Sequence, residues 1–71
     1  MHLHNNLKEA RLKKNLTQET LAGLVGVTRQ TIIAIEKEKF APSVRLALEL
    51  ALALETPIGK IFWLEDSRGE K

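Results

Sequence analysis

Arg29 and Gln30 are adjacent side chains that can each form two hydrogen bonds with a flat polar partner. The guanidinium fork of the arginine matches the paired O6 and N7 acceptors that guanine presents in the major groove of DNA. The glutamine amide both donates and accepts, which suits the N6 and N7 atoms of adenine. Thr28, directly before them, is suited to begin a helix by accepting from a first-turn backbone N–H. These three residues predict two base-reading side chains on the first turn of a helix.

The surrounding segment has the spacing of two short helices joined by a tight turn. Thr17 is suited to cap the first helix, and apolar residues from Leu21 onward recur at helical spacing. Gly26 follows, and glycine adopts the left-handed conformation that ends a helix without a steric penalty. Thr28 then begins the second helix. Residues 17–37 therefore predict a helix-turn-helix, a motif whose second helix enters the major groove of DNA.

The rest of the pattern predicts an all-α fold of five helices in one domain, residues 1–71. Asn6 is expected to cap the first helix, with Glu9 completing a capping box. Thr56 is expected to cap the last helix, with Pro57 at its first position. The polar tail Ser67–Lys71 is expected to be frayed. The expected helices are Leu7–Lys14, Gln18–Val25, Arg29–Lys37, Val44–Leu54 and a short one ending near Phe62 or Trp63.

Composition limits the classes of function that the chain can have. The 71 residues include no cysteine, so neither disulfides nor thiolate chemistry is expected in this small domain. No secretory pattern opens the sequence and no apolar run is long enough to span a membrane, so the cytoplasm is the expected location. Residues 1–39 hold seven basic and four acidic side chains, whereas residues 40–71 hold four and five. The positive excess falls on the helix-turn-helix half, although an ordinary mixed surface would also account for it.

No group of side chains has the spacing of a catalytic or cofactor site. The sequence has no nucleophile paired with a base, no glycine loop for phosphates and no carboxylate pair in an evident pocket. His2 and His4 form a His-x-His pattern, but no further histidine, cysteine or carboxylate stands beside them to complete a metal site. We therefore expect no enzyme activity, no metal and no cofactor.

A set of residues spread over about residues 6–64 forms one combined pattern: Arg11, Leu16-Thr17-Gln18, Leu21-Ala22, Val25-Gly26-Val27, Arg29-Gln30-Thr31-Ile32, Ile35-Glu36-Lys37, Lys39 and Pro42-Ser43. This pattern resembles the Cro/cI-type helix-turn-helix family, also called lambda-repressor-like or XRE-type, and in particular the small dimeric regulators of the cytolysin-repressor kind. The resemblance implies a five-helix DNA-binding domain. By analogy with the small regulators, a short two-stranded ribbon would pair His2–Asn5 with Phe62–Glu65.

The resemblance also assigns DNA contacts to individual residues. It implies base contacts from Arg29 and Gln30, although a phosphate contact alone remains the alternative for the arginine. Ala34 stands where family members often have a longer polar reader, and its methyl can contact a thymine, as can Ile33. Gln18 resembles a family glutamine that contacts phosphate and braces the recognition helix, which is the second helix of the helix-turn-helix. The phosphate candidates are Gln18, Thr28, Thr31, Lys37, Lys39 and the backbone N–H of Phe40, with a solvated loop as the alternative for the two lysines.

Two further positions bear on the recognition helix. Arg11 and Glu36 match a family ion pair that ties the first helix to the end of the third. Family members usually have glycine or asparagine where this chain has Glu38. A left-handed backbone conformation at that residue would cost about 1 kcal/mol.

The fourth helix is apolar on more than one side. Leu50 and Leu54 share a side that is expected to face the core, whereas Leu48 and Leu52 lie on the far side. A chain this small lacks the material to bury both sides by itself, so we expect a homodimer formed through residues 44–65. The candidate interface residues are Leu48, Leu52, Ile61, Trp63 and Leu64. For the tryptophan, closure of the monomer core is the alternative.

Together these features predict a sequence-specific transcriptional regulator, acting as a homodimeric repressor on a palindromic operator in double-stranded DNA. No membrane association is expected. The alternative is an antitoxin or adaptor module, in which a different protein, such as a toxin, covers the apolar face.

Overall fold

The computed structural model describes residues 2–65, so Met1 and residues 66–71, with the expected frayed tail Ser67–Lys71, lie outside the described part. In chain order the elements are β1 (His2–Asn5), α1 (Leu7–Lys13), α2 (Gln18–Val25), α3 (Arg29–Glu36), α4 (Val44–Leu54), a single 3₁₀ turn (Ile58–Lys60) and β2 (Phe62–Glu65). None of the helices among these residues combines the length and apolar character needed to cross a membrane.

Hydroxyl caps begin the three helices that follow α1, as predicted for Thr17 and Thr28. The Thr17 hydroxyl accepts from the Thr20 amide at 3.0 Å, and the Ser43 hydroxyl accepts from the Leu46 amide at 3.1 Å. The Thr28 hydroxyl caps α3 in the same way. Each bond satisfies a backbone donor that the first helical turn leaves without a partner. These short-range contacts explain why the sequence located the helix starts.

The predicted cap of α1 is wrong. The Asn6 side chain makes no capping hydrogen bond, and its Oδ1 is buried without a partner among the described residues. The Asn5 side chain acts instead, because its Oδ1 accepts from the Leu7 amide at 3.0 Å. An asparagine that accepts from the amide two residues ahead forms the Asx turn, a common local alternative to a helix cap.

The four helices of residues 2–65 all end on one residue in the left-handed backbone conformation. At the end of α3, the amides of Glu38 and Lys39 donate to the carbonyls of Ile35 and Ala34, both at 2.9 Å. This paired arrangement is the Schellman motif. The left-handed residues and their φ angles are Asn15 (58°), Gly26 (73°), Glu38 (62°) and Glu55 (52°). The conformation predicted for Gly26 is confirmed, and two glutamates adopt it despite its steric cost.

The predicted fifth helix is wrong, because the chain forms only the 3₁₀ turn before it extends into β2. The Thr56 hydroxyl donates to the Leu54 carbonyl at 2.9 Å, so it does not cap a following helix. Phe62–Glu65 then pairs with β1, a strand close to the other end of the chain. Strand pairing satisfies the backbone of Phe62–Glu65 and leaves Ile58–Lys60 too few residues for more than one turn.

The predicted terminal ribbon is present. β1 and β2 are antiparallel, and the paired residues are His2 with Glu65, Leu3 with Leu64, His4 with Trp63 and Asn5 with Phe62. Because side chains alternate along a strand, the His2 and His4 pairs share one face of the ribbon, and the Leu3 and Asn5 pairs share the other.

All four helices and the segment before β2 contribute to one core. The largest fully buried side chains are Leu7, Leu21, Ile32, Ile35, Leu50, Leu54 and Ile61. The expectation that Ile61 belongs to a dimer interface is therefore wrong, because its exposed fraction is 0%. Its carbonyl accepts from the Asn6 amide at 3.0 Å, which fixes the start of β2 against the start of α1 and holds the isoleucine inward.

Candidate nucleic-acid interface

The first turn of α3 presents Arg29 and Gln30 to solvent. Both residues are exposed, and neither side chain is hydrogen-bonded to another group of residues 2–65. Ile32 and Ile35, on the opposite side of the same helix, are fully buried. The core thus fixes the orientation of α3, and the two polar side chains at its start are free to meet an external partner.

A buried ion pair holds the far end of α3. The Glu36 carboxylate accepts from Nε of Arg11 at 2.8 Å and from Nη2 of the same residue at 3.3 Å. Nη1 of Arg11 donates to the Leu16 carbonyl at 2.9 Å, so all three guanidinium nitrogens have partners. Less than a tenth of either side chain is exposed. The pair therefore ties α1 and the loop after it to the recognition helix, as the family resemblance implied for these two residues.

Gln18 joins this network from the start of α2. Its amide Nε2 donates to Oε1 of Glu36 at 3.2 Å, and the residue is half-buried. The side chain therefore braces α3 against α2. Its amide oxygen and the first turn of α2 remain able to meet an external partner. The N-terminus of a helix attracts anions, because its first backbone N–H groups have no partner within the helix.

The remaining expected DNA-contact residues surround α3. Thr28 and Thr31 lie on its first turn, with their hydroxyl oxygens 3.2 Å apart. Ile33 and Ala34 are half-buried on its flank. The loop after α3 exposes three candidates, namely Lys37, Lys39 and Phe40. Apart from Gln18 at the start of α2, the expected base and phosphate candidates thus lie at the start, on the flank and after the end of α3.

Asn5 has a structural role that the sequence did not indicate. Its Nδ2 donates to the carbonyl of Ile35 at 2.9 Å, while its Oδ1 accepts from the Leu7 amide. One side chain thus connects β1, the start of α1 and the last turn of α3. Nothing in the local sequence distinguishes Asn5 from Asn6, and its partner lies 30 residues away.

An apolar stripe runs along the outside of α4. Val44, Leu48 and Leu52 are 75%, 48% and 79% exposed, and their spacing of four places them along one side of the helix. Leu24, which the sequence placed in an apolar stripe of α2, is also exposed and lines a groove with Leu52. A second groove beside the stripe is lined by Leu48, Ala51, Leu52, Glu55, Thr56, Pro57 and Ile58.

The other interface candidates lie on the ribbon. Trp63 and Leu64 are both exposed, but they point to opposite faces of it because they are neighbours on a strand. The indole of Trp63 stacks on the His4 ring with the ring centroids 6.3 Å apart. Of the five interface candidates, Leu48 and Leu52 are the two exposed residues that lie on one side of the same helix.

Residues 7–61 match the family model described as helix-turn-helix. Over 64 residues the chain is 44% identical to YgzD, an uncharacterized HTH-type transcriptional regulator of Bacillus subtilis (strain 168), and 52% identical to one of Methanocaldococcus jannaschii. Each alignment covers 90% of this chain and 97% of the relative. Among solved structures, the restriction-modification controller protein C.AhdI from Aeromonas hydrophila is similar, with a TM-score of 0.72 and 37% identity over 76% of this chain and 78% of that one.

Proposed function

The chain belongs to the Cro/cI-type helix-turn-helix family of DNA-binding transcriptional regulators, and from this premise we propose that it is a homodimeric repressor of a palindromic operator. The observation that carries the proposal is the position of Arg29 and Gln30, exposed on the first turn of a helix whose opposite side is buried. It is not an enzyme, since its relatives are transcriptional regulators and a controller protein.

In the proposed complex α3 lies in the major groove. Arg29 donates two hydrogen bonds to O6 and N7 of a guanine, and Gln30 bonds to N6 and N7 of an adenine. Ala34 and Ile33 offer only apolar contacts, to a thymine methyl for example. With two polar readers in each half-site, part of the specificity must come from DNA shape and from the spacing of the half-sites.

Phosphate contacts on both sides of α3 fix its position in the groove. On one side of α3, the DNA backbone is contacted by Gln18 and the free amides at the start of α2, together with Thr28 and Thr31. Lys37, Lys39 and the amide of Phe40 reach it beyond the end of α3. Contacts of this kind set the register of the protein on the duplex and carry little sequence information.

The apolar stripe of α4 is the proposed dimer surface. Large exposed apolar patches mark sites of association, and a chain of this size is stabilised by covering one. Leu48 and Leu52 form its centre. A two-fold axis through this surface would place the two α3 helices about 34–36 Å apart, one turn of B-DNA, and would require a palindromic site. A dimer bound at a promoter would exclude the polymerase.

Selection of bound duplexes from a random DNA pool, at near-physiological salt where non-specific phosphate binding is weak, tests the proposal. We expect a palindrome to be enriched, and we expect the Arg29→Ala variant to lose preference at one position of each half-site. Enrichment of a single, asymmetric half-site would contradict the dimer.

The exposed stripe of α4 also favours one second candidate. In an antitoxin or adaptor, a different protein chain covers Leu48 and Leu52 and the free protein remains a monomer. The two candidates differ in the selection experiment, because a module that needs a partner would enrich no sequence by itself. They also differ in the mass of the purified protein in solution.

A further inference from the structure

Two histidines of β1 and a glutamate after α3 meet on one side of the molecule. His2 and His4 share a face of the ribbon, with ring centroids 4.9 Å apart. Nε2 of His2 lies 3.5 Å from one carboxylate oxygen of Glu38, and Nδ1 of His4 lies 3.3 Å from the other. One donor atom from each residue falls within 4.8 Å of the other two. The sequence pattern did not indicate Glu38 as a third metal ligand, because Glu38 lies 34 residues from His4 along the chain.

We propose that His2, His4 and Glu38 bind a divalent transition metal ion, of which Zn²⁺ is the best fit. Two imidazoles and one carboxylate form a ligand set that zinc uses in proteins, with water at the fourth position. A tetrahedral ion with bonds of about 2.0–2.1 Å separates its ligand atoms by about 3.3 Å. The distances of 3.5 and 3.3 Å join His2 and His4 to different oxygens of Glu38, and one ligand atom from each residue falls within 4.8 Å of the others, so side-chain rotations of up to about 1.5 Å would bring all three to tetrahedral separation.

A second carboxylate supports the assignment independently. Nε2 of His4, the ring nitrogen that does not face Glu38, lies 3.3 Å from Oε1 of Glu65. A histidine that binds a metal through one nitrogen almost always donates the other N–H to a carboxylate or carbonyl, which fixes the tautomer and the ring orientation. The stacked indole of Trp63 restricts the same ring from its side. Glu65 is therefore a positioning residue for His4 in the proposed site.

The backbone around Glu38 is also suited to a fixed ligand. Its left-handed conformation is held by the two Schellman hydrogen bonds at the end of α3, so the carboxylate projects from a restrained turn. His4 and Glu38 are each about one-third exposed at the side chain, and His2 is more exposed. An ion can therefore enter from solvent, and a bound ion would join β1 to the end of the recognition helix.

Titration of the tag-free protein with Zn²⁺, with EDTA-treated protein as the starting point, tests the proposal. Trp63 is the only tryptophan of the chain, and its contact with His4 makes its fluorescence a local reporter. We expect a saturable change with one Zn²⁺ per chain, matched by calorimetry, and a thermal midpoint that rises when Zn²⁺ is added. Glu38→Gln and His4→Ala are each expected to weaken binding at least tenfold. Glu65→Gln, which alters only the positioning residue, is expected to weaken it by about 10- to 100-fold.

Glu49→Gln is the matched control. Glu49 is paired with Arg45 on α4, so this substitution removes the same charge at a place away from the proposed site. It is expected to leave Zn²⁺ affinity unchanged. Unsaturable binding, or equal affinity in the Glu38→Gln and wild-type proteins, would overturn the proposal. Loss of binding in Glu49→Gln to the same degree as in Glu38→Gln would also overturn it, because the effect would then be one of net charge. Circular dichroism of each variant confirms that the fold is retained.

Discussion

The guanidinium of Arg11 and the carboxylate of Glu36 form two hydrogen bonds, of 2.8 and 3.3 Å, across the interface between α1 and α3. Both side chains are buried, so the pair has lost most of its contact with water. Desolvation of two charges offsets much of their attraction, and the net stabilisation of such a pair is small as long as it stays intact. The pair therefore fixes where α3 lies more than it stabilises the fold.

Replacing one residue of the Arg11–Glu36 pair is expected to destabilise the fold far more than replacing both. Arg11→Ala leaves the Glu36 carboxylate buried and unpaired, which should lower the free energy of unfolding by about 3–5 kcal/mol. The double variant Arg11→Met, Glu36→Leu fills a similar volume without charge and should recover most of that loss. Urea denaturation followed by circular dichroism measures both. If Arg11→Ala costs less than about 1 kcal/mol, the pair is not buried in solution.

Arg29→Ala is expected to weaken binding to the selected operator by about 1–3 kcal/mol and to relax specificity at one base pair. Lys60→Ala, which removes an exposed cation from the 3₁₀ turn, is the matched control and should change affinity little. Binding isotherms on the operator and on single-base variants provide the measurement. An equal loss on every sequence, with a shallower salt dependence, would mean that Arg29 contacts phosphate instead.

The residues alone predicted features that depend on neighbouring residues, whereas the two distant contacts that were expected, the Arg11–Glu36 pair and the ribbon, rested on the family resemblance. The caps at Thr17 and Thr28 and the left-handed Gly26 each involve residues within one helical turn, so their spacing identified them. The structure of Phe62–Glu65 was harder to predict, because these residues become a strand only when β1 lies beside them. The meeting of His4 with Glu38 had no local signal, since it follows from how β1 packs beside α3.

Leu52→Glu tests the apolar stripe of α4. A charge at the centre of the proposed dimer surface must lose its water on association, so the variant is expected to be monomeric and to bind operator weakly. Leu12→Glu is the matched control for the mass, because Leu12 is an exposed leucine on α1. Analytical ultracentrifugation gives the mass of each. If Leu52→Glu and the wild type have the same mass, the dimer uses another face or does not form.

Glu38 is expected to lower the stability of the metal-free protein through its backbone. Its φ of 62° lies in the left-handed region, which costs a residue with a Cβ atom about 1 kcal/mol relative to glycine. Glu38→Gly and Glu38→Ala both remove the carboxylate, and only the first removes the strain. In the presence of EDTA, Glu38→Gly should therefore be more stable than Glu38→Ala by about 1 kcal/mol in urea denaturation. Equal stability would mean that the loop relaxes to another conformation.

Glu55 gives the protein a stability term that depends on pH. Its carboxylate accepts a 2.7 Å hydrogen bond from Nζ of Lys14, and this bond together with the lysine charge lowers the pKa of Glu55 below its ordinary value. A carboxyl with a lowered folded-state pKa stabilises the fold above its ordinary pKa, and that contribution is lost as the pH falls through the lowered value.

Lys14→Ala removes this contribution, so it should reduce the thermal midpoint at pH 7 by a small amount, because the pair is exposed and screened. The difference from wild type should shrink once the pH falls below about 4.3, the ordinary glutamate value, and vanish at lower pH. Lys13→Ala removes a neighbouring exposed lysine of α1 that has no ion-pair partner within residues 2–65, and its difference from wild type should change less over the same range. A Lys14→Ala difference that persists unchanged at acid pH would show that the lysine stabilises the fold by some contact other than the one with Glu55.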